Sequence, residues 1–528
     1  MRDMRVASVT AAGFLLALCI TALAAGANSQ APTGALVVVQ GVDPGSLDPL
    51  RQISNGLVMS YYVTDGLVTK VNPATSAEPH LATSWTKSPN GLIWTFKLRR
   101  GVKFHDGTTF DARAVKINFD RLINASPPAP NLLELSALKS TQVVSRYVVR
   151  LRLSQPLTFL PTILTGGPAG ILSPSSFTKF GNNPGSGGIV HPVGTGPFMF
   201  KEYVRGDHIT FERNPNYWGT APKFKTLTFR FVPSAASREA LLLSGGANVA
   251  LAIPPSDVDA VHKRPGYSVR FRPAIRTVFI GINTKSRTQP LLRDVRVRRA
   301  LNYAIDRKSI IKNILFGMAA RSVSPASPPL GGYCKAGDYP YNPQRARELL
   351  RQADATDLTL RLGSPTGAFI QDIQAATAIA GYLRAVGVNV VGPSTADILT
   401  YNATVIVPPE RSTLDLYLFG LTSSYGGLAG NAQLMGLLTS AQIPPNGFNI
   451  SYWTNRQFDR AVDQVNKGKN DAAIASSLCR AQKLAWNGAP RIFLWSQTFA
   501  VAMKDDVRGL GLLPNEMVNV LKVSVGGG

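Results

Sequence analysis

The sequence predicts an α/β protein of more than one domain. Three observations carry that reading. The 528 residues exceed what one simple hydrophobic core accommodates. Several segments of the first half alternate apolar and polar residues with the period of a half-buried strand. In the second half a strand, a long helix and a second strand succeed one another over 358–391, the pattern of a βαβ unit.

Residues 1–27 stand outside that fold. Arg2 and Arg5 precede an apolar run, Ala11 to Ile20, and the small residues Ala22, Ala24, Ala25 and Ala27 follow. This is the layout of a cleavable secretory signal peptide, and the run is short for a membrane span. Cys19 follows Leu18, where a lipidation signal wants Gly or Ala, so it is read as part of the signal core. Leu36 to Gln40 then reads as a strand and Met59 to Val68 as a helix. Trp94, Phe96 and Leu98 alternate with Thr95, Lys97 and Arg99 as a second strand. His105-Asp106-Gly107-Thr108 is a turn, and Asp111 caps a helix that turns Ala114, Val115 and Phe119 inward. Pro192 to Phe198 is a glycine turn entering a strand, and Leu227, Phe229 and Phe231 mark another.

The clearest helix starts at Asp294, an N-cap, with Val297, Ala300, Leu301 and Ala304 on one face. Asp306 caps the next, and Asn342-Pro343 opens a third with Pro at its first position. Leu358, Leu360 and Leu362 form a strand. A helix runs from about 368 to a stop at Gly387, Val388 to Val391 is the following strand, and Leu414 to Gly420 is one more.

Composition excludes several classes. No stretch after the leader reaches 18 uninterrupted apolar residues, so the mature chain is predicted to be soluble. The net charge is +25, yet basic residues are scattered and no helix interleaves them with aromatics. The charge is read as a solvated surface, and no nucleic-acid partner is expected. Cys334 and Cys479 permit one disulfide in an oxidising compartment, or two buried thiols.

Catalytic and metal patterns are missing. The histidines His80, His105, His191, His208 and His262 are not spaced to share one metal on a helix. There is no C-x-x-C, no H-E-x-x-H, no P-loop and no nucleophile elbow. The nearest match to the last, Gly392-Pro393-Ser394-Thr395-Ala396, is read as a loop. His105-Asp106 is the one suggestive polar pair, and Gly107 favours a turn in which Asp106 bonds local backbone. No enzyme activity, metal or cofactor is expected.

Six blocks carry a resemblance. They are Glu78-Pro79-His80-Leu81-Ala82-Thr83-Ser84-Trp85 with Trp94 to Gly107, Pro192 to Phe198, Glu212-Arg213-Asn214-Pro215-Asn216-Tyr217-Trp218, Arg293 to Asp306, Asn455 to Asp459, and Ala489 to Trp495. In this order they resemble the extracytoplasmic solute-binding proteins of family 5, the dipeptide-, oligopeptide- and nickel-binding proteins of ABC importers. The resemblance implies a two-lobed periplasmic-binding-protein fold of the large peptide-binding class. Residues 28–75, 194–278 and 505–528 would form lobe I, 76–193 its extra subdomain, and 279–504 lobe II. Phe279 to Asn283 and Phe499 to Met503 would be the crossing strands. It further implies a monomeric periplasmic protein that closes on its solute and docks on inner-membrane ABC permease subunits.

The site departs from the pattern. In the family's peptide binders the strand matching Leu416 to Gly420 leads into a loop with one Trp and two aspartates, one of which pairs with the peptide ammonium. Here those positions hold Leu421, Ser424 and Gly427. A serine cannot neutralise a buried ammonium, and an unpaired one is costly. A blocked or modified peptide, an opine-like compound or a sugar-containing solute therefore fits better than a free dipeptide. Ser54, Asn283, Ser423, Ser424 and Tyr425 are the candidate contacts, Asn283 at the hinge and Tyr425 as an aromatic with a polar tip. A non-peptide solute or a secreted hydrolase is the alternative.

Overall fold

The computed structural model describes residues 34–50, 58–69, 77–124, 135, 137–165, 169–179, 188–423 and 427–526. The leader lies outside them. Among the described residues no helix is long and apolar enough to cross a membrane.

The first strand among the described residues is β1 (Ala35–Gln40), buried throughout. The chain then leaves to build a four-stranded antiparallel sheet from β2 (Ala82–Lys87), β3 (Ile93–Leu98), β4 (Leu138–Ser145) and β5 (Val148–Leu153), in the order β2-β3-β5-β4. The helix α1 (Ala112–Ile123) packs on it, capped as expected by Asp111, whose carboxylate accepts from Arg113 N and Ala114 N. The expected alternation holds, since Trp94, Phe96 and Leu98 are buried in this unit's core.

The chain returns through β6 (Phe198–Val204), β7 (His208–Arg213) and β8 (Thr226–Phe231), which lies parallel to β1. The helix α2 (Ala235–Leu243), the strand β9 (Val249–Leu251) and the helix α3 (Val258–Lys263) follow. The strand β10 (Tyr267–Ile282) is longer than predicted, 16 residues, and the later strand running against it is nearly as long.

Beyond β10 come α4 (Val295–Tyr303), α5 (Arg307–Asn313), β11 (Ala319–Arg321) and α6 (Pro343–Gln352). Asp294, Asp306 and Asn342 cap the three helices through backbone N–H groups of Arg296, Ser309 and Arg345. The predicted βαβ unit is β12 (Thr359–Pro365), α7 (Asp372–Ala385) and β13 (Asn389–Ala396). The helix α7 starts four residues later than expected because Asp372 turns back to accept from Ala368 N and Phe369 N. The segment Gly392 to Ala396 is strand rather than loop, with Ser394, Thr395 and Ala396 opposite Gly363, Ser364 and Pro365.

Later in the chain come β14 (Leu416–Leu421), α8 (Gly427–Gly436), α9 (Arg456–Asn466), α10 (Asp471–Gly488) and β15 (Arg491–Lys504). One sheet of eleven strands results, ordered β13-β12-β14-β10-β15-β9-β1-β8-β7-β6, with β11 alongside β15. The strands β10 and β15 run the length of both halves, and their register shifts between Pro273 and Thr277. Val278, Ile280 and Ile282 enter the core under α4 and α7, while Ala274 and Phe499 enter the core around β1 and the C-terminal tail.

Three blocks of the sequence signature converge on one carboxylate. Asp65 is buried and accepts from Thr195 Oγ1 at 2.9 Å, Trp218 Nε1 at 3.0 Å and Tyr217 OH at 3.3 Å, with His80 Nε2 at 2.8 Å. The His80 ring also packs at a tilt against Trp218, centroids 4.7 Å apart. Burial, then the nearby Asp65 charge, push the Tyr217 phenol well above its ordinary range. The glycines of the Pro192 to Phe198 block admit a close approach: a Cβ on Gly194 would lie 1.9 Å from the Val63 carbonyl oxygen. The Arg293 to Asp306 block is tied to the end of α10 by buried arginine, with Arg298 donating to the carbonyls of Gly488 and Ala489. These blocks hold the scaffold together.

Candidate ligand cleft

Parallel strands β12 and β14 end at one edge of the sheet, the usual place for a ligand in an α/β protein. The loop after β14 is the predicted site. Ser423 is fully buried and its hydroxyl donates to Gln433 Oε1 on α8, so the loop is tied down onto the helix that follows. Thr422 Oγ1 and Asn431 Oδ1 nearby are shielded from solvent and have no partner among the described residues. From Leu416 to Gly436 the chain carries no charged side chain. Ser54, Ser424 and Tyr425 lie outside the described residues.

Asn283 sits elsewhere. It follows the far end of β10, is buried, and gives its amide N–H groups to Ser412 Oγ and the Leu414 carbonyl. It is adjacent to the N-terminal end of β14, opposite the end that leads into Ser423. The structure does not bring these two candidates together.

The helix α8 rests on a braced loop. Asn431 Nδ2 donates to the Gly331 carbonyl at 3.0 Å. Gln482 on α10 holds the segment around it: its Oε1 accepts from Ser324 Oγ at 2.8 Å and Cys334 N at 3.1 Å, and its Nε2 donates to the Gly332 carbonyl at 2.8 Å. Cys334 and Cys479 are joined by a disulfide, resolving the alternative that the sequence leaves open. Sequence reading missed Gln482 altogether, since a glutamine on an amphipathic helix carries no signal of such a role.

The four-stranded unit closes against α8, α9 and α10. Thr158 Oγ1 donates to the Asn466 carbonyl at 2.9 Å. Phe159 packs against both cores, and Ala429 of α8 is buried in the core of the small sheet. At the crossing strands Arg276 is paired with Glu516 of the tail at 2.6 Å, both largely buried, with the Phe369 ring 5.7 Å from the guanidinium.

The polar pair His105-Asp106 is structural, as its glycine suggested. His105 Nε2 lies 3.0 Å from the Gly196 carbonyl, its Nδ1 accepts from Gly194 N, and burial pulls its pKa down. Asp106 accepts from Ser173, Ser175 and Thr108 hydroxyls. Among the described residues no group of three His, Cys, Asp or Glu side chains could hold a metal.

Residues 76–430 match the family model of bacterial extracellular solute-binding proteins, family 5. The chain belongs to this family. It is 30% identical over 494 residues to the glutathione-binding protein GsiB of Escherichia coli O157:H7, covering 91% of this chain and 92% of the relative. Among solved structures, the periplasmic binding protein DppA of Helicobacter pylori in complex with the peptide STSA superposes with a TM-score of 0.82 at 24% identity, over 93% of this chain and 98% of that one. A dipeptide-binding protein of Pseudoalteromonas sp. SM9913 in complex with Met-Leu superposes with a TM-score of 0.83 at 22% identity, over 93% and 100%. The fold is thus the two-lobed α/β fold of family 5, as the sequence blocks implied, and the chain is a solute-binding protein.

Proposed function

We propose that this chain is the periplasmic component of a peptide-class ABC importer. It captures a peptide or peptide-like solute between its lobes and hands it to a membrane permease, without catalysing a reaction. The boundary between lobes is drawn near residue 278 and again near 505, with 76–193 as the subdomain. Closure is the exclusion of water by two bodies hinged on two strands. The candidate contacts are Ser424 and Tyr425 of the loop after β14, with Ser54 of lobe I, and Ser423 is left out because it is fully buried and its hydroxyl already donates to Gln433. Asn283 is left out because its amide is already used.

One observation selects the solute: the uncharged stretch from Leu416 to Gly436. A free α-ammonium buried there would lack a counter-carboxylate at considerable cost. Glutathione, named for the relative GsiB, is linked through a side-chain carboxyl. Its ammonium therefore shares a carbon with its own carboxylate, and that head group is net neutral. A γ-linked or N-blocked peptide suits this loop for the same reason.

Isothermal titration of the chain lacking residues 1–27 tests this. The panel is reduced glutathione, the dipeptide Ala-Ala, its N-acetyl form, an opine and a trisaccharide. Glutathione or the blocked dipeptide should bind at least about tenfold tighter than free Ala-Ala, a difference near 1.4 kcal/mol. Tightest binding of Ala-Ala would refute the argument from the missing aspartates. Unchanged affinity in Tyr425→Phe and Ser424→Ala would show that the contacts lie elsewhere.

A further inference from the structure

A large cavity bordered by described residues lies away from the loop after β14. It has a volume of about 880 Å³ and lies against the other face of the crossing strands. Its floor includes Phe271 of β10 and Thr498 of β15. Ala500 and Ala502, which share the Thr498 side of β15, pack into the core under α2 and α3, whereas Phe499, Val501 and Met503 face the opposite core. One wall is the start of α3, with Asp259. The other is α5 and the turn after it, with Lys308, Lys312 and Phe316. The walls therefore belong to opposite halves of the molecule, and only the two crossing strands lie between them.

The walls complement each other. Asp259 is exposed on one side, Lys308 and Lys312 on the other, and none of the three has an ion-pair partner among the described residues. Phe271 and Phe316, which both line this cavity, leave 49% and 50% of their surface in water. Phe316 also holds a left-handed backbone, φ 50°, which costs a bulky residue energy and projects its ring from the end of α5. In this structure the front is shut, by the Thr158–Asn466 bond and the burial of Ala429, and the rear gapes. Two rigid bodies on a two-strand hinge cannot open at the front without narrowing at the rear.

We propose that the rear walls are a counter-interface that closes when the front opens. Asp259 then meets Lys308 and Lys312, and the two phenylalanines cover each other. These residues hold the empty protein open, so they set solute affinity without touching solute. Every interaction gained only in the open form lowers the fraction of molecules ready to close, and the apparent affinity falls with that fraction.

The inference rests on the closure reading above, and two measurements separate their failures. The first is small-angle scattering of the ligand-free chain lacking residues 1–27. The second is its dissociation constant for reduced glutathione. The variants are Lys308→Glu/Lys312→Glu, Phe316→Ala, and the charge swap that adds Asp259→Lys to the double variant. The double variant and Phe316→Ala should shrink the ligand-free radius of gyration toward the ligand-bound value. They should also tighten glutathione binding by about fivefold or more, the lower range of conformational coupling. The charge swap should return both quantities toward the parent. A scattering curve and affinity unchanged in all variants would overturn the proposal. Weaker binding with unchanged scattering would also overturn it and make the cavity part of the solute site. If the parent does not bind glutathione, the solute assignment fails and the scattering arm alone decides the rear interface.

Discussion

Removing the Cys334–Cys479 bond should destabilise the protein strongly and weaken binding only slightly. The bond closes a loop of 145 residues. In the chain-entropy description such a loop restricts the unfolded chain by roughly 17 cal/mol/K, about 5 kcal/mol at 25 °C. Measured effects fall below this figure, so Cys334→Ser/Cys479→Ser should lose about 2–4 kcal/mol. The folded state should change little, because Gln482 grips Ser324, Gly332 and Cys334 N without help from the sulfurs. Guanidinium unfolding of the oxidised protein, the reduced protein and the double variant measures the loss, and titration gives the solute affinity. Free-thiol counting in denaturant on the chain lacking residues 1–27 should find none. Two free thiols there would refute the bond. Equal midpoints for oxidised and double-variant protein would refute the entropic argument. An affinity loss greater than the stability loss would show that the bond shapes the folded loop directly.

Three further outcomes follow from particular contacts. Arg491 is buried with Nε and Nη2 unpartnered among the described residues, lies 3.9 Å above the Phe279 ring, and has its pKa pulled down to about 9 by burial. Arg491→Met should therefore be neutral or stabilising in urea unfolding, and a loss above about 2 kcal/mol would mean the charge is compensated. Gly281→Ala would place a Cβ 2.0 Å from the Tyr417 ring, on the strand pair that carries the β14 loop. It should cost about 1–3 kcal/mol or more by overpacking, read from the shift in unfolding midpoint. Burial would raise the Asp106 carboxyl pKa, but hydrogen bonds from Ser175, Thr108 and Ser173 outweigh it and hold the pKa below its ordinary value. A depressed folded pKa contributes stability above the unfolded value, near 4, that is lost as pH falls through the folded one. Asp106→Asn should thus lose more stability at pH 6 than in acid below the unfolded carboxylate range, and an equal loss at both would contradict the assignment.

Local rules proved sufficient for most elements. Asp111, Asp294, Asp306 and Asn342 cap the helices that spacing placed after them, because a cap depends on residues two or three apart. The strand Gly392 to Ala396 depends on pairing with β12, outside the segment, whereas the start of α7 turns on Asp372 folding back onto Ala368 N and Phe369 N, a local cap that apolar spacing does not reveal. At the site, the neutral character of the β14 loop was legible residue by residue. The place of Asn283 was not, since strand-end packing against 412–414 decides it. The rear cavity was invisible too: Asp259 and Lys312 are 53 positions apart in the chain and look like ordinary surface charges.

The sequence by itself determined the family, the α/β alternation, the capped helices and the loss of charge in the loop after β14. Each of these is written in short windows, where one side chain acts on backbone a few residues away or a motif stands unbroken. The tertiary structure alone decided what joins distant windows. It brought His80, Thr195, Tyr217 and Trp218 onto Asp65, closed the disulfide across 145 residues, and set Asp259 opposite two lysines across the hinge. Those contacts depend on how two long strands cross and which face each side chain takes, and no local rule encodes that.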